Sequence, residues 1–240
     1  LRILRFFRFH ARYGRPGGAD PAALDACARH ARGLGRISRE RMGHEMRKLL
    51  SAPDPAEAVE LMERTGVLAQ VLPGARADRL AALVAVEAGA VCPVNGVPSP
   101  FVPQDIPTIK NDWPLRLAAL GADDAAGALR LSRDEARMQD ELYFDGPLAE
   151  AAYRLGAPRA LQLALLRASR GETLRADWRE QIGFAAGQKL PIAAADLMPD
   201  LQGPAVGRGL RAAERVWIES GFLMPPPALV DIARLAGKEG

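Results

Sequence analysis

The sequence predicts an all-α protein, and three observations carry that expectation. Apolar residues recur at helical spacing from end to end, no stretch of alternating β-branched residues is long enough to form a sheet, and Gly, Pro or Asp punctuates each periodic segment. With 240 residues and 48% hydrophobic side chains, the chain can bury a real core in one or two domains.

The first helix opens at once in LRILRFFRFHARY, where the apolar pattern is already running at Leu1 without an N-capping residue before it. Arg2, Arg5, Arg8 and Arg12 follow at intervals of three, three and four. At ~100° per residue they share one face, while Ile3, Leu4, Phe7 and Ala11 occupy the other. Asp20-Pro21 is an N-cap and N1 pair, with Gly33 as the stop, for a helix over 21–32. Ser38 caps the next. Ile37 and Met42 stand at staple positions, Glu40 is in the first turn, and Met42, Met46, Leu49 and Leu50 form the stripe that Pro53 closes. A helix over 55–64 and the short apolar GVLAQVLP, closed by Pro73, complete this part.

Further helices are expected near 77–88, 114–121, 132–145, 147–156, 157–169, 176–187, 204–219 and 227–236. Asp123-Asp124 reads as a dipole pair at a helix start, and Asp54, Asp196 and Asp200 as caps or loop residues. Between Pro93 and Pro114 six prolines, with Asn95, Gly96 and Ser99, predict one long irregular loop.

Charge is distributed unevenly. The net charge is only +3, but 28 of the 32 basic residues are arginine, and eleven of those lie within the first 47 positions. The total reflects compositional bias, whereas the clustering predicts a positive surface that steers polyanions. A guanidinium grips phosphate or pairs bidentately with a base edge, where lysine acts as a point charge. The same stripe also fits a solvated face, or a membrane-surface or partner-binding helix.

Other chemistries are not encoded. Cys27 and Cys92 are too few for a disulfide framework and lack C-x-x-C spacing, which favours a reduced, cytoplasmic setting. His10, His30 and His44 are scattered with no metal-ligand spacing, no carboxylate set suits a two-metal site, and no nucleophile or phosphate-loop motif follows a strand. The residues therefore show no catalytic centre and no protein-built metal site. No apolar run approaches the ~20 residues of a membrane span. The Gly203-Pro204 turn, with Arg208, Arg211 and Arg215 behind it, is a weaker place for an RNA phosphate, while Trp178 and Trp217 read as core.

Two motifs carry a family resemblance. LRILRFFRFHARYG resembles the neck segment of the class II tRNA nucleotidyltransferase and bacterial poly(A) polymerase family, in which arginine follows a Glu-Asp pair within LR-x-x-R-x-x-RF. ISRERMGHEMRKLL is similar to the next family motif, carried by Ile37, Ser38, Glu40, Arg41, Glu45, Lys48, Leu49 and Leu50. ELMERTGVLAQVLP and GPAVGRGLRAAERVWIESGF resemble later parts. Ala193-Ala194-Ala195-Asp196 departs from the Gly/Lys-containing turn of relatives, and the proline-rich loop reads as an insertion.

The resemblance implies the neck, body and tail of such an enzyme. Residues 1–73 would form a neck that templates nucleotides and binds RNA, and 74–240 a tRNA-binding body and tail with the proline-rich loop at 93–114. A nucleotidyltransferase head of ~130 residues, holding Mg²⁺ on its aspartates, would precede Leu1. Arg2 matches the arginine that reads the Watson–Crick edge of incoming CTP or ATP, and Arg5 and Arg8 match those beside it. Glu40, Arg41 and Glu45 would brace that helix, with Arg12, Lys48, Arg208 and Arg211 toward RNA. The implied reaction adds CCA or poly(A) to an RNA 3′ end. An RNA-binding or scaffolding protein without transferase activity is the alternative.

Overall fold

A computed structural model describes residues 1–89 and 111–238, with the backbone of 93–94 and 97–98. The described residues are all-α apart from a two-residue antiparallel ladder, in which Pro93 pairs with Pro98 and Val94 with Val97. The expected irregular loop at 93–114 otherwise falls outside the described residues until Asn111, and so does Cys92.

The opening helix, α1 (Arg2–Tyr13), buries Leu4 and Phe7 and has no side-chain cap at Leu1. Its hold on the protein therefore comes from packing, since burying each such side chain contributes roughly 1.5–3 kcal/mol. Asp20 caps α2 (Pro21–His30) by accepting from the Ala22 N–H. Gly33 does not end that helix as expected: α2 stops at His30 and tightens into a 3₁₀ turn over Ala31–Arg36 that buries Ala31 and Leu34. Such a turn satisfies terminal carbonyls with shorter-range bonds.

Ser38 occupies the N-cap of α3 (Arg39–Leu50), although its side chain makes no capping bond. There follow α4 (Ala56–Arg64), then α5 (Val67–Val71) after a left-handed Gly66, then α6 (Ala77–Glu87). Asp112 caps α7 (Trp113–Leu120), so Trp113 and Pro114 already belong to a helix rather than to the loop. Asp124 accepts from the Gly127 N–H at the start of α8 (Ala125–Leu129). A full capping box between Ser132 and Glu135 starts α9 (Arg133–Glu141), which ends four residues before the expected 145. The remaining helices are α10 (Leu148–Leu155), α11 (Ala157–Ser169), α12 (Trp178–Ala186), α13 (Pro204–Glu219) and α14 (Pro226–Lys238).

Two compact units result, residues 1–145 with 161–176 and residues 146–160 with 177–240. The packing does not break at residue 73. Leu80, Leu117, Leu120 and Leu129 share one core with Leu4, Phe7, Met46, Leu49 and Met62. Within this first unit α1 lies on α3 and α4, and α3 also touches α7 and α8. Gly43 is where α3 meets α8, and a Cβ there would collide with the Leu129 carbonyl. In the second unit α13 packs along α14 with Gly209 at the crossing, where a Cβ would strike the Ala233 carbonyl. Trp178 and Trp217 are buried as expected, and Trp217, Tyr153 and Phe222 form an edge-to-face cluster with centroids 5.0–5.8 Å apart.

One charged side chain lies at the centre of the first unit. Arg116 of α7 is 2% exposed. Its Nη2 donates to Glu87 at 2.7 Å and to the Pro53 carbonyl at 3.2 Å, while Nη1 donates to the carbonyls of Leu50 and Ala52. One of these carbonyls, that of Leu50, is left unpaired at the end of α3, and the other two belong to the turn that follows it. Burial outweighs the attraction of Arg116 and pushes the Glu87 carboxyl above its usual range. Replacing Arg116 by Ala strands a buried carboxylate and three carbonyls, so urea unfolding should show a loss of about 3–5 kcal/mol. A loss no larger than a surface substitution, about 0.5 kcal/mol, would contradict that role.

Candidate nucleotide and RNA interface

The face that α1 presents with α3 assembles most of the expected residues. Glu45, one of the buried residues of α3, is only 3% exposed. Its Oε1 accepts from Arg5 Nε at 3.4 Å, and its Oε2 lies 3.3 Å from Arg8 Nε. The second contact is an ion pair without hydrogen-bond alignment, and Oε2 has no hydrogen-bond partner among the described residues. One carboxylate thus sits beneath two guanidinium groups. Arg8 is largely buried, whereas Arg5 remains more than half exposed, so charge is left over toward solvent.

The other expected residues distribute around this pair. Arg2 and Arg12 are exposed at either end of the stripe. Arg41 and Glu40 are exposed on the first turns of α3 and line a shallow recess with Leu1, Arg5, His44 and Glu45. Glu40 lies 3.6 Å from Arg130, so its carboxylate pairs with the residue that ends α8 rather than with an α1 arginine. Lys48 is exposed on the last turn of α3. Arg208 and Arg211 are in the second unit: Arg208 donates to the Gly237 carbonyl at 3.1 Å and ties α13 to α14, and Arg211 is exposed.

Beside the Glu45 pair the structure shows a feature the sequence reading missed. A cleft of about 600 Å³ is lined by Arg8, Arg12, Arg47 and Lys48 together with Phe9, Tyr13, His44, Ser51 and Trp113. Phe9 and Tyr13 are stacked at 6.0 Å, and the Arg8 guanidinium lies 4.7 Å from the Phe9 ring centre. Arg47 lies 5.2 Å from the Trp113 ring and is clamped bidentately by Glu135 at 2.8 and 2.7 Å. A signal existed for half of it: Phe9 and Tyr13 are four residues apart and off the apolar stripe. Trp113 carried none, because only tertiary packing brings α7 to α1.

Among the described residues no three His, Cys, Asp or Glu side chains stand together as a metal site. No helix of the described chain is long and apolar enough to cross a membrane. Cys27 is a buried thiol whose pKa burial pushes up, which keeps it unreactive.

An all-helical unit whose cationic helix is underpinned by a buried carboxylate, beside a cation-lined aromatic cleft, defines a class of polyanion-handling modules. Comparison with known proteins narrows the class. Residues 20–78 match the family described as "Probable RNA and SrmB- binding site of polymerase A". Relatives align over a similarly short stretch. CCA tRNA nucleotidyltransferase 1, mitochondrial, of Mus musculus is 43% identical over 68 residues, 28% of this chain and 16% of the relative. The Danio rerio protein of the same name is 41% identical over 68 residues, with the same coverage, and the Homo sapiens one 51% over 51 residues, 21% of this chain and 12% of the relative. Over this short region the chain is similar to CCA-adding and poly(A)-polymerase-like proteins. The matched stretch spans less than a fifth of those relatives' length.

The Arg47 clamp has a pH signature. Hydrogen bonding to Arg47 is the largest cause holding the Glu135 carboxyl below its usual range. Its stabilisation is complete above the ordinary glutamate pKa of about 4.3 and is lost as pH falls through the depressed native value. The stability difference between the wild type and Glu135→Gln should therefore be widest near neutrality and narrow below about pH 4. A difference that stays constant on acidification would contradict the clamp.

Proposed function

We propose that these residues form the RNA-binding and nucleotide-selecting region of a template-independent nucleotidyltransferase that adds CCA or poly(A) to RNA 3′ ends from CTP and ATP. The observation that carries the reading is the buried Glu45 carboxylate beneath Arg5 and Arg8, because it fixes two guanidinium groups of the α1 stripe in place beside Arg2 before substrate arrives. In this reading Arg2 pairs with the Watson–Crick edge of the incoming base and Arg5 and Arg8 follow beside it. Arg41 and Glu45 support the helix from α3, and Glu40 does so indirectly through Arg130 at the end of α8. Arg12 and Lys48 face RNA, with Arg211 a further contact in the second unit.

The chemistry belongs, in the same reading, to carboxylates outside residues 1–240 that hold Mg²⁺, and this chain alone is inactive. Its partners are tRNA or another RNA 3′ end and the two nucleotides. Two cysteines without framework spacing favour the cytoplasm.

A longer protein containing these residues should incorporate CTP and ATP into tRNA lacking its 3′ end. Loss of a bidentate base contact removes ~1–3 kcal/mol of discrimination, so Arg2→Ala in that protein should raise UTP misincorporation about 5- to 100-fold. Unchanged selectivity would refute the templating role, and RNA binding without any incorporation would favour a scaffold. The chain itself should bind tRNA with an affinity that falls steeply as salt rises, because phosphate neutralisation releases counterions. Salt-independent binding, or preference for anionic vesicles over tRNA, would sink the RNA reading.

A further inference from the structure

We infer that the cleft between α1 and the last turn of α3 is a separate stacking site for an unpaired RNA nucleotide, next to the Glu45 pair and distinct from it. The inference rests on the RNA-binding reading above and adds where a base goes.

Three properties of the cleft point to that occupant. Two of its three aromatic side chains are not spent on the core: Phe9 is 51% exposed and Tyr13 71% exposed, although each would be stabilised by burial. Such rings beside cations suit the π-face of any base, and a cleft of about 600 Å³ is within the range of small-ligand sites. Its cations, moreover, divide by role. Arg8 and Arg47 are committed to Glu45 and Glu135 and lie against the Phe9 and Trp113 rings, so they hold the walls. Arg12 and Lys48 have no hydrogen-bond or ion-pair partner among the described residues, which leaves them for phosphates. The walls are also firm, since Trp113 is the first residue of capped α7 and Arg47 is held by two hydrogen bonds. A preformed aromatic wall loses little entropy on stacking a base.

A double-stranded end does not fit this arrangement, because its bases are already stacked on one another and offer the cleft only phosphates. A free nucleotide shares the base and phosphate chemistry, and the experiment separates it from RNA. Arg8 connects the cleft to the Glu45 pair and His44 lines both recesses, so a strand whose base stacks on Phe9 and Tyr13 would have its neighbour beside Arg5.

The test measures binding of a fluorescent oligoadenylate of about eight nucleotides and of a blunt RNA duplex to the whole chain, without nucleotide triphosphates. Phe9→Ala and Tyr13→Ala should each weaken oligoadenylate binding about 5- to 100-fold, with duplex binding and helical circular dichroism unchanged. Phe9→Tyr and Tyr13→Phe should restore most of it. The aromatic variants should keep the wild-type salt dependence, while Lys48→Ala should flatten the logarithmic salt slope by about 0.7. Wild-type affinity in both alanine variants overturns the stacking site and leaves the RNA reading standing. No binding of either RNA by the wild type removes both. Displacement of the oligomer by ATP at equimolar concentration would make the cleft a free-nucleotide pocket and overturn the assignment to RNA.

Discussion

The guanidinium of Arg116 is the constraint on which the site depends. A helix of twelve residues ends at Leu50, and its last carbonyl, with those of Ala52 and Pro53 in the turn beyond it, must find donors in the interior. Arg116 supplies them from α7 while Glu87 of α6 neutralises it, so three helices are indexed to one another by a single planar group. Lysine could not do this, because its three donors on a single nitrogen cannot span a carboxylate and three separate carbonyls in a plane. The consequence for function is positional. The helix pinned at its end is α3, which carries Glu45, His44, Arg47 and Lys48.

A second level of electrostatics builds on that anchor. Two carboxylates, Glu45 and Glu135, each hold arginines that a solvated surface would leave mobile. An exposed ion pair contributes roughly 0–1 kcal/mol, but both carboxylates here are mostly shielded, and two of the arginines they hold, Arg8 and Arg47, also lie against aromatic rings. The arrangement works less as stabilisation than as orientation. Cations fixed by shielded partners keep their direction, and the exposed ones at Arg2, Arg12 and Lys48 add charge around them. The two carboxyl groups respond to pH in opposite senses. Glu87, raised by burial, disfavours the native state as pH rises through its native value, whereas the Glu135 clamp weakens as pH falls.

The family match and the geometry meet on different parts of one unit. The matched segment, 20–78, contains α3 and hence Glu45, Arg47 and Lys48, whereas the arginines they organise belong to α1, before the matched region, and Trp113 comes after it. The cleft therefore draws on sequence separated by a hundred residues, and the alignment covers only its middle. Arg208 shows the converse. It follows a Gly-Pro turn that invites a phosphate, yet its guanidinium bonds the Gly237 carbonyl and serves the α13 and α14 contact.

What the sequence determined by itself is the part governed by local rules. Periodicity dictated an all-α chain, Asp20, Asp112, Asp124 and Ser132 capped helices by short-range hydrogen bonds, and spacing alone placed Arg2, Arg5, Arg8 and Arg12 on one face of α1. Even the burial of Glu45 was suggested only through a motif, since a glutamate in a helix ordinarily faces water. Tertiary structure decided the rest, because the outcome hung on contacts between segments far apart in the chain. It ended α2 early in a 3₁₀ turn, turned Glu40 toward Arg130, carried the core past residue 73, and brought Trp113 beside Arg47 to close the aromatic cleft. Hydrogen bonds within four residues can be read along a line, but a cleft is made by which helices share a core, and that depends on how their side chains fill space together.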